Sequence, residues 1–169
     1  AGRRYALFSL GPGNLKDVND LGNSLAREFG SHGFDIVWTQ APITVKDVAL
    51  PDDVTPISVY PLVRYMRAFD VFVGAAGYNT CCEVIQSGVP SLLVPNTLVA
   101  DDQSRRAELV SAHAPVVVSP CETRGEIQTA IGELAEVGEA PRQAGDIDLS
   151  GAERAADEIL TLINAWGRR

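Results

Sequence analysis

Hydrophobic positions along this chain fall into two alternating patterns. Short continuous apolar runs occupy residues 5–10, 34–38, 57–59, 70–73, 91–94 and 116–118, and each predicts a strand. Several lack polar alternation, as expected of strands covered on both faces. Between the runs the period lengthens to that of a helix. Val18, Leu21, Leu25 and Phe29 mark one face of a helix over 16–31, closed by Gly33. Further helices are predicted over 62–69, over 79–87 with Gly88 as its cap, and over 103–112. Ile127, Ile131 and Leu134 mark another, and Ala156, Ile159, Leu160, Ile163 and Trp166 the last. Residues 41–56, which carry three prolines, read as a connecting loop, as do 95–102. Residues 138–150 read as a polar connector to the last helix, 151–166.

Strands alternating with helices, without internal repeats, predict one α/β domain over 1–169. It is Rossmann-like and doubly wound, with a mostly parallel sheet of about six strands flanked by helices. Such sheets bind ligands at the carboxyl ends of their strands. Gly11-Pro12-Gly13-Asn14 stands at one of those ends, before a helix. Its glycines admit close backbone approach and the helix start favours an anion, so a diphosphate contact and a plain tight turn both fit. The loop is neither GxGxxG nor a Walker A sequence.

Gly74-Ala75-Ala76-Gly77-Tyr78-Asn79-Thr80-Cys81-Cys82-Glu83 also follows a strand and opens a helix. Small residues clear space above the strand end, and the first N–H groups of the helix point there. Glu83 could accept hydrogen bonds from the two hydroxyls of a ribose. Thr80 and Glu83 also have the spacing of a capping box, and spacing alone favours that plainer reading. Asp101-Asp102-Gln103 precedes the next helix; Asp102 fits an ordinary N-cap, or with Gln103 a contact to sugar hydroxyls. Tyr60, Tyr65 and Trp38 could stack on a base, with core packing the simpler role for Trp38. Arg64, Arg67, Arg105 and Arg106 read most simply as solvated helix charges.

Composition narrows the classes. At 169 residues, 46% hydrophobic and 21% charged, the chain can bury one good core. No apolar run reaches the ~18 residues a spanning helix needs. A net charge of −8 argues against nucleic acid as a partner. It also requires that any bound phosphate be held mainly by backbone N–H groups. The three cysteines and two histidines have no metal-ligand spacing, so neither a metal nor a cofactor is expected. Free thiols suit a cytoplasmic setting. Cys81 and Cys82, near a helix start, could have lowered pKa values, although small-residue packing is the simpler role.

Residues 57–109 resemble the donor half of the MurG-like and UDP-glycosyltransferase families, whose enzymes have the two-domain GT-B fold. Val59-Tyr60-Pro61 is similar to the strand end that holds the nucleobase, largely through backbone groups. Gly77-Tyr78-Asn79-Thr80-Cys81-Cys82-Glu83 resembles the family's glycine-x-x-threonine-x-x-glutamate motif, and Asp102-Gln103 its donor-sugar pair. The resemblance implies that Gly11, Gly13, Asn14, Gly77, Tyr78, Asn79 and Thr80 face the phosphates. It implies further that Glu83 holds the ribose, Val59 and Tyr60 the base, and Asp102 and Gln103 the sugar.

By the same resemblance the substrate is a UDP- or dTDP-sugar, and a hexose or N-acetylhexosamine passes with inversion to an acceptor hydroxyl. Eight residues after Glu83, where retaining enzymes often place a second glutamate, stands Ser91. Val59 replaces the base-stacking tryptophan of plant-type members, and Leu62 a ribose-contacting glutamine, which favours a bacterial subfamily. The general base is expected in an acceptor-binding N-terminal domain or partner subunit, which could also bring peripheral membrane association. The donor domain of a sugar-nucleotide epimerase or hydrolase would share these loops, as would a stand-alone donor-binding subunit. A dinucleotide-binding domain is disfavoured by the missing GxGxxG and by Trp38-Thr39-Gln40 where an acidic residue would end the second strand.

Overall fold

The apolar runs pair into one parallel sheet whose two faces are both covered by helices, which explains why so few carry polar alternation. The computed structural model of the chain describes residues 2–11, 15–39, 50–98, 101–139, 148 and 150–166. The strands are β1 (Arg4–Ser9), β2 (Phe34–Thr39), β3 (Val54–Ile57), β4 (Val71–Ala75), β5 (Ser91–Val94), β6 (Thr97–Leu98), β7 (Asp101–Asp102) and β8 (Val116–Val118). The helices are α1 (Leu15–Ser31), α2 (Val63–Met66), α3 (Tyr78–Ser87), α4 (Gln103–Ser111), α5 (Arg124–Glu139) and α6 (Gly151–Trp166). Six strands form a sheet in the order β3-β2-β1-β4-β5-β8, parallel at every pairing. The order reverses between β1 and β4, and a doubly wound sheet opens its ligand crevice at such a point.

Two hydrophobic layers hold the helices on. Phe8, Leu25, Phe29, Trp38, Val73, Leu92, Ile127 and Leu134 form the layer beneath α1 and α5. Leu7, Met66, Phe72, Val84, Leu93, Ala107 and Val110 form the layer beneath α2, α3 and α4. Trp38 is a core residue: it packs on Phe8, and a Cβ on Gly22 would come within 2.3 Å of its ring. Buried Glu28 ties α1 to α5 by accepting from Arg124 Nε at 2.6 Å and from Gln128 Nε2 at 3.2 Å. A buried carboxylate without such partners would be strongly disfavoured.

Three elements differ from the sequence reading. The third strand lies at Val54–Ile57, not 57–59, because its register pairs Ile36 with Val54 and Thr39 with Ile57. Ser58 and Val59 therefore run past the end of β2. Pro56 is tolerated because β3 is an edge strand. The second helix is shorter than 62–69: after Met66 the chain closes with i+3 hydrogen bonds from Ala68 to Tyr65 and from Phe69 to Met66. The loop at 95–102 contains β6 and β7, an antiparallel pair of two-residue strands. Residues 41–49 of the first expected loop, and 140–147 and 149 of the connector, lie outside the described residues.

Candidate functional site at the carboxyl edge of the sheet

β1 and β4 are hydrogen-bonded neighbours, with Ser9 opposite Gly74. The turns that follow them therefore leave the sheet side by side at one edge. Gly11 has φ +72°, a left-handed conformation that suits glycine. Gly13 and Asn14 lie outside the described residues. Gly74 is set by packing: a Cβ there would lie 2.5 Å from Phe72 Cζ and 2.9 Å from the Ser9 carbonyl oxygen.

The β4–α3 turn ends at Gly77, which is the N-cap of α3 in an extended conformation. Its carbonyl accepts from Cys81 N–H at 2.9 Å. No side chain bonds into this cap, and no acidic residue stands in the first turn. The capping box is thus not formed: Thr80 lies in the first turn rather than at its boundary, and Glu83 lies deeper in the helix. The first N–H groups of α3, from Tyr78, Asn79 and Thr80, point out along the helix axis with the positive end of the dipole behind them. Tyr78 and Asn79 are exposed and Thr80 is half-buried.

Glu83 faces the segment that follows β3. Its carboxylate lies near enough to Val63 N–H, at the start of α2 and three residues beyond Tyr60, for that amide to favour the ionised form. Burial raises its pKa above the ordinary 4.5, and the Val63 amide partly offsets this. Val59 is half-buried, while the Tyr60 side chain is 84% exposed. Glu83 and the chain at Val63, which follows the 59–60 segment, thus meet beside the start of α3.

Asp102, at the end of β7, and Gln103 open α4, the next helix after β5. Asp102 caps α4 by accepting from Arg105 N–H at 2.9 Å. Gln103 is buried; its Oε1 accepts from Asn96 N–H at 3.0 Å and its Nε2 donates to Asp101 Oδ2 at 3.3 Å. Both side chains thus have structural bonds at the mouth of the site.

Two arginines read as solvated charges have specific partners. Arg67 Nε donates to the Ser87 carbonyl at 2.9 Å and so caps the far end of α3. Arg106 Nη1 donates to the Ala76 carbonyl at 2.9 Å and to Asp101 Oδ2 at 3.2 Å, and its Nη2 pairs with Asp101 Oδ1. Its hydrogen bonds hold the Asp101 carboxyl below the ordinary carboxylate range. A sequence signal existed for this pair. Asp101 and Arg106 stand at the N′ and N4 positions of α4, where apolar residues form a hydrophobic staple.

Cys81 has no lowered pKa. Burial raises it to about 11 although Arg106 pulls the other way. It is a packed thiol in the layer beneath α3, not a nucleophile. Among the described residues, no group of three or more His, Cys, Asp or Glu side chains is placed to hold a metal ion.

Residues 28–159 match the model of the glycosyltransferase family 28 C-terminal domain. The chain belongs to this family. Among similar proteins are two UDP-N-acetylglucosamine–N-acetylmuramyl-(pentapeptide) pyrophosphoryl-undecaprenol N-acetylglucosamine transferases. The one from Bacillus licheniformis is 26% identical over 135 residues, 74% of this chain and 37% of the relative. The one from Solibacter usitatus is 38% identical over 100 residues, 55% of this chain and 27% of the relative. The chain thus spans 37% of the first relative's length and 27% of the second's. Its fold recurs in the glycotransferase of kitacinnamycin, with TM-score 0.62 and 22% identity over 84% of this chain and 36% of that one. It recurs also in the spinosyn rhamnosyltransferase SpnG complexed with thymidine diphosphate, with TM-score 0.62 and 19% identity over 80% of this chain and 38% of that one. The sheet is one half of a GT-B fold, and no described helix of it is long and apolar enough to cross a membrane.

Proposed function

We propose that this domain binds the nucleoside-diphosphate end of a sugar donor for an inverting glycosyltransferase, with an N-acetylhexosamine or hexose as the group transferred. One observation carries the reading: the start of α3, free of side-chain caps and acidic residues, opens beside the β1 turn at the switch point of the sheet, with Glu83 and the Val63 amide next to it. A diphosphate over α3 would meet the Tyr78, Asn79 and Thr80 amides. A ribose would then lie within reach of Glu83, and a base along Val59 and Tyr60. The names of the sequence relatives favour UDP as the nucleotide, and an N-acetylglucosamine as the sugar.

In the reaction, the bond from the anomeric carbon to the diphosphate breaks while the acceptor oxygen attacks from the opposite face. Negative charge grows on the departing diphosphate. Preorganised amides that hold this charge lower the barrier, each by about 3–4 kcal/mol where the geometry is good. The base that takes the acceptor's proton would come from an acceptor-binding domain or subunit, which could also provide contact with a membrane surface. This domain supplies donor binding and leaving-group stabilisation.

Isothermal titration with UDP, dTDP and their sugars tests the reading. At least one should bind, and chelation with EDTA should leave its affinity unchanged. No heat with any of them would contradict the proposal.

A further inference from the structure

We propose that Arg106 is a positioning residue that locks the diphosphate loop to the sugar-side loop, so that the two halves of the donor site act as one rigid unit. This deepens the donor-binding reading and rests on it. One guanidinium bridges two loops that follow different strands. Towards β4 it donates to the carbonyl of Ala76, the residue before the N-cap of α3. Towards β5 it grips Asp101 through both nitrogens. Asp101 in turn accepts from Gln103, and Gln103 accepts from Asn96 N–H, which closes the 96–103 loop on itself. The chain of bonds therefore runs from the turn just before α3 to the start of α4.

The chemistry requires arginine. Its planar fork can engage a carboxylate with two nitrogens and still reach a carbonyl, whereas an ammonium is a point donor on a flexible stem. The Arg106 and Asp101 side chains are about one-quarter and one-third exposed, so solvent does not dissolve the pair as it would on an open surface. Ala76, whose carbonyl the fork reaches, is fully buried. Losing the fork would free the Gly77 cap and the Gln103 side chain together. The amides over α3 would keep their identity but lose their fixed aim, on which transition-state stabilisation depends.

The test uses two amides as reporters and one affinity ratio. Cys81 N–H reports the first turn of α3 and Asn96 N–H the β5–α4 loop. In Arg106→Met, hydrogen exchange at both amides should speed up together. UDP and UDP-N-acetylglucosamine should bind roughly tenfold more weakly, while UMP, held chiefly by Glu83 and the 59–60 segment, should change less than about twofold. Arg106→Lys, which keeps the charge and the stem but not the fork, should reproduce most of both effects; it also replaces Arg106→Met should that variant fail to fold. Exchange that speeds up at only one reporter, an unchanged diphosphate-to-monophosphate ratio, or full rescue by lysine would overturn the proposal. If the unaltered protein binds no nucleotide, the donor-binding reading falls, and the paired exchange still decides whether Arg106 couples the loops.

Discussion

In the proposed donor site, Glu83 is the residue on which nucleotide recognition turns. It must be ionised to accept from two ribose hydroxyls, yet burial makes ionisation harder than in water. Replacing it with glutamine keeps the shape and removes the charged acceptor. Glu83→Gln should weaken UDP binding roughly tenfold or more, the scale of lost hydrogen bonds to a charged group. Its stability should move the other way. An acid whose pKa is raised on folding favours the folded state fully below its unfolded value, and loses that contribution as pH rises through the folded value. The variant should therefore match the wild type in acid and be the more stable at neutral pH. Nucleotide affinity should fall with acidification at a pH above 4.5, the ordinary value for this group. Thermal unfolding and titration across pH check both signs.

At the scale of elements, the two turns work because β1 and β4 touch. Gly74 is where that contact is tightest. Gly74→Ala would drive a methyl into Phe72 and the Ser9 carbonyl, and should cost about 1–3 kcal/mol as overpacking does. It should also weaken diphosphate binding, since the β1 and β4 turns would be pushed apart; denaturant unfolding and titration of the variant measure the two effects.

Most of this scale could be read in the sequence. The apolar runs at Ser91–Val94 and Val116–Val118 are strands at those bounds, and Gly88 ends α3 in the left-handed conformation. What was not legible has physical causes. β3 carries a proline, and its bounds follow from register with β2, which a single run does not reveal. β6 and β7 are two residues each, too short to show a period. The capping-box spacing at Thr80 and Glu83 was misleading because the small residue Gly77 takes the N-cap place, which leaves the helix start open. The Arg106 bridge depends on two loops meeting across the sheet edge, and only its Asp101 half has a sequence pattern.

Over the whole molecule, a chain of net charge −8 is proposed to bind a multiply charged anion. The fold reconciles the two by local means: fixed amide dipoles act at contact distance, while the dispersed acidic charge is screened by salt over about 10 Å. α6 stands apart from this arrangement. None of its side chains is buried, and Ile159, Leu160, Ile163 and Trp166 remain exposed. A helix without a packed face contributes little to a core. Deleting residues 151–169 should shift the unfolding midpoint by less than about 2–4 °C, the change expected for 1 kcal/mol in a chain of this size. Calorimetry on the shortened chain would show it, and a larger loss would mean that α6 supports the sheet.

The most direct test of the whole account is a crystal structure of this chain with UDP bound. The diphosphate oxygens should lie within about 2.7–3.2 Å of the Tyr78, Asn79 and Thr80 amide nitrogens, with the ribose hydroxyls on Glu83. A diphosphate held elsewhere by basic side chains, or a Glu83 carboxylate turned away from the sugar ring, would contradict it.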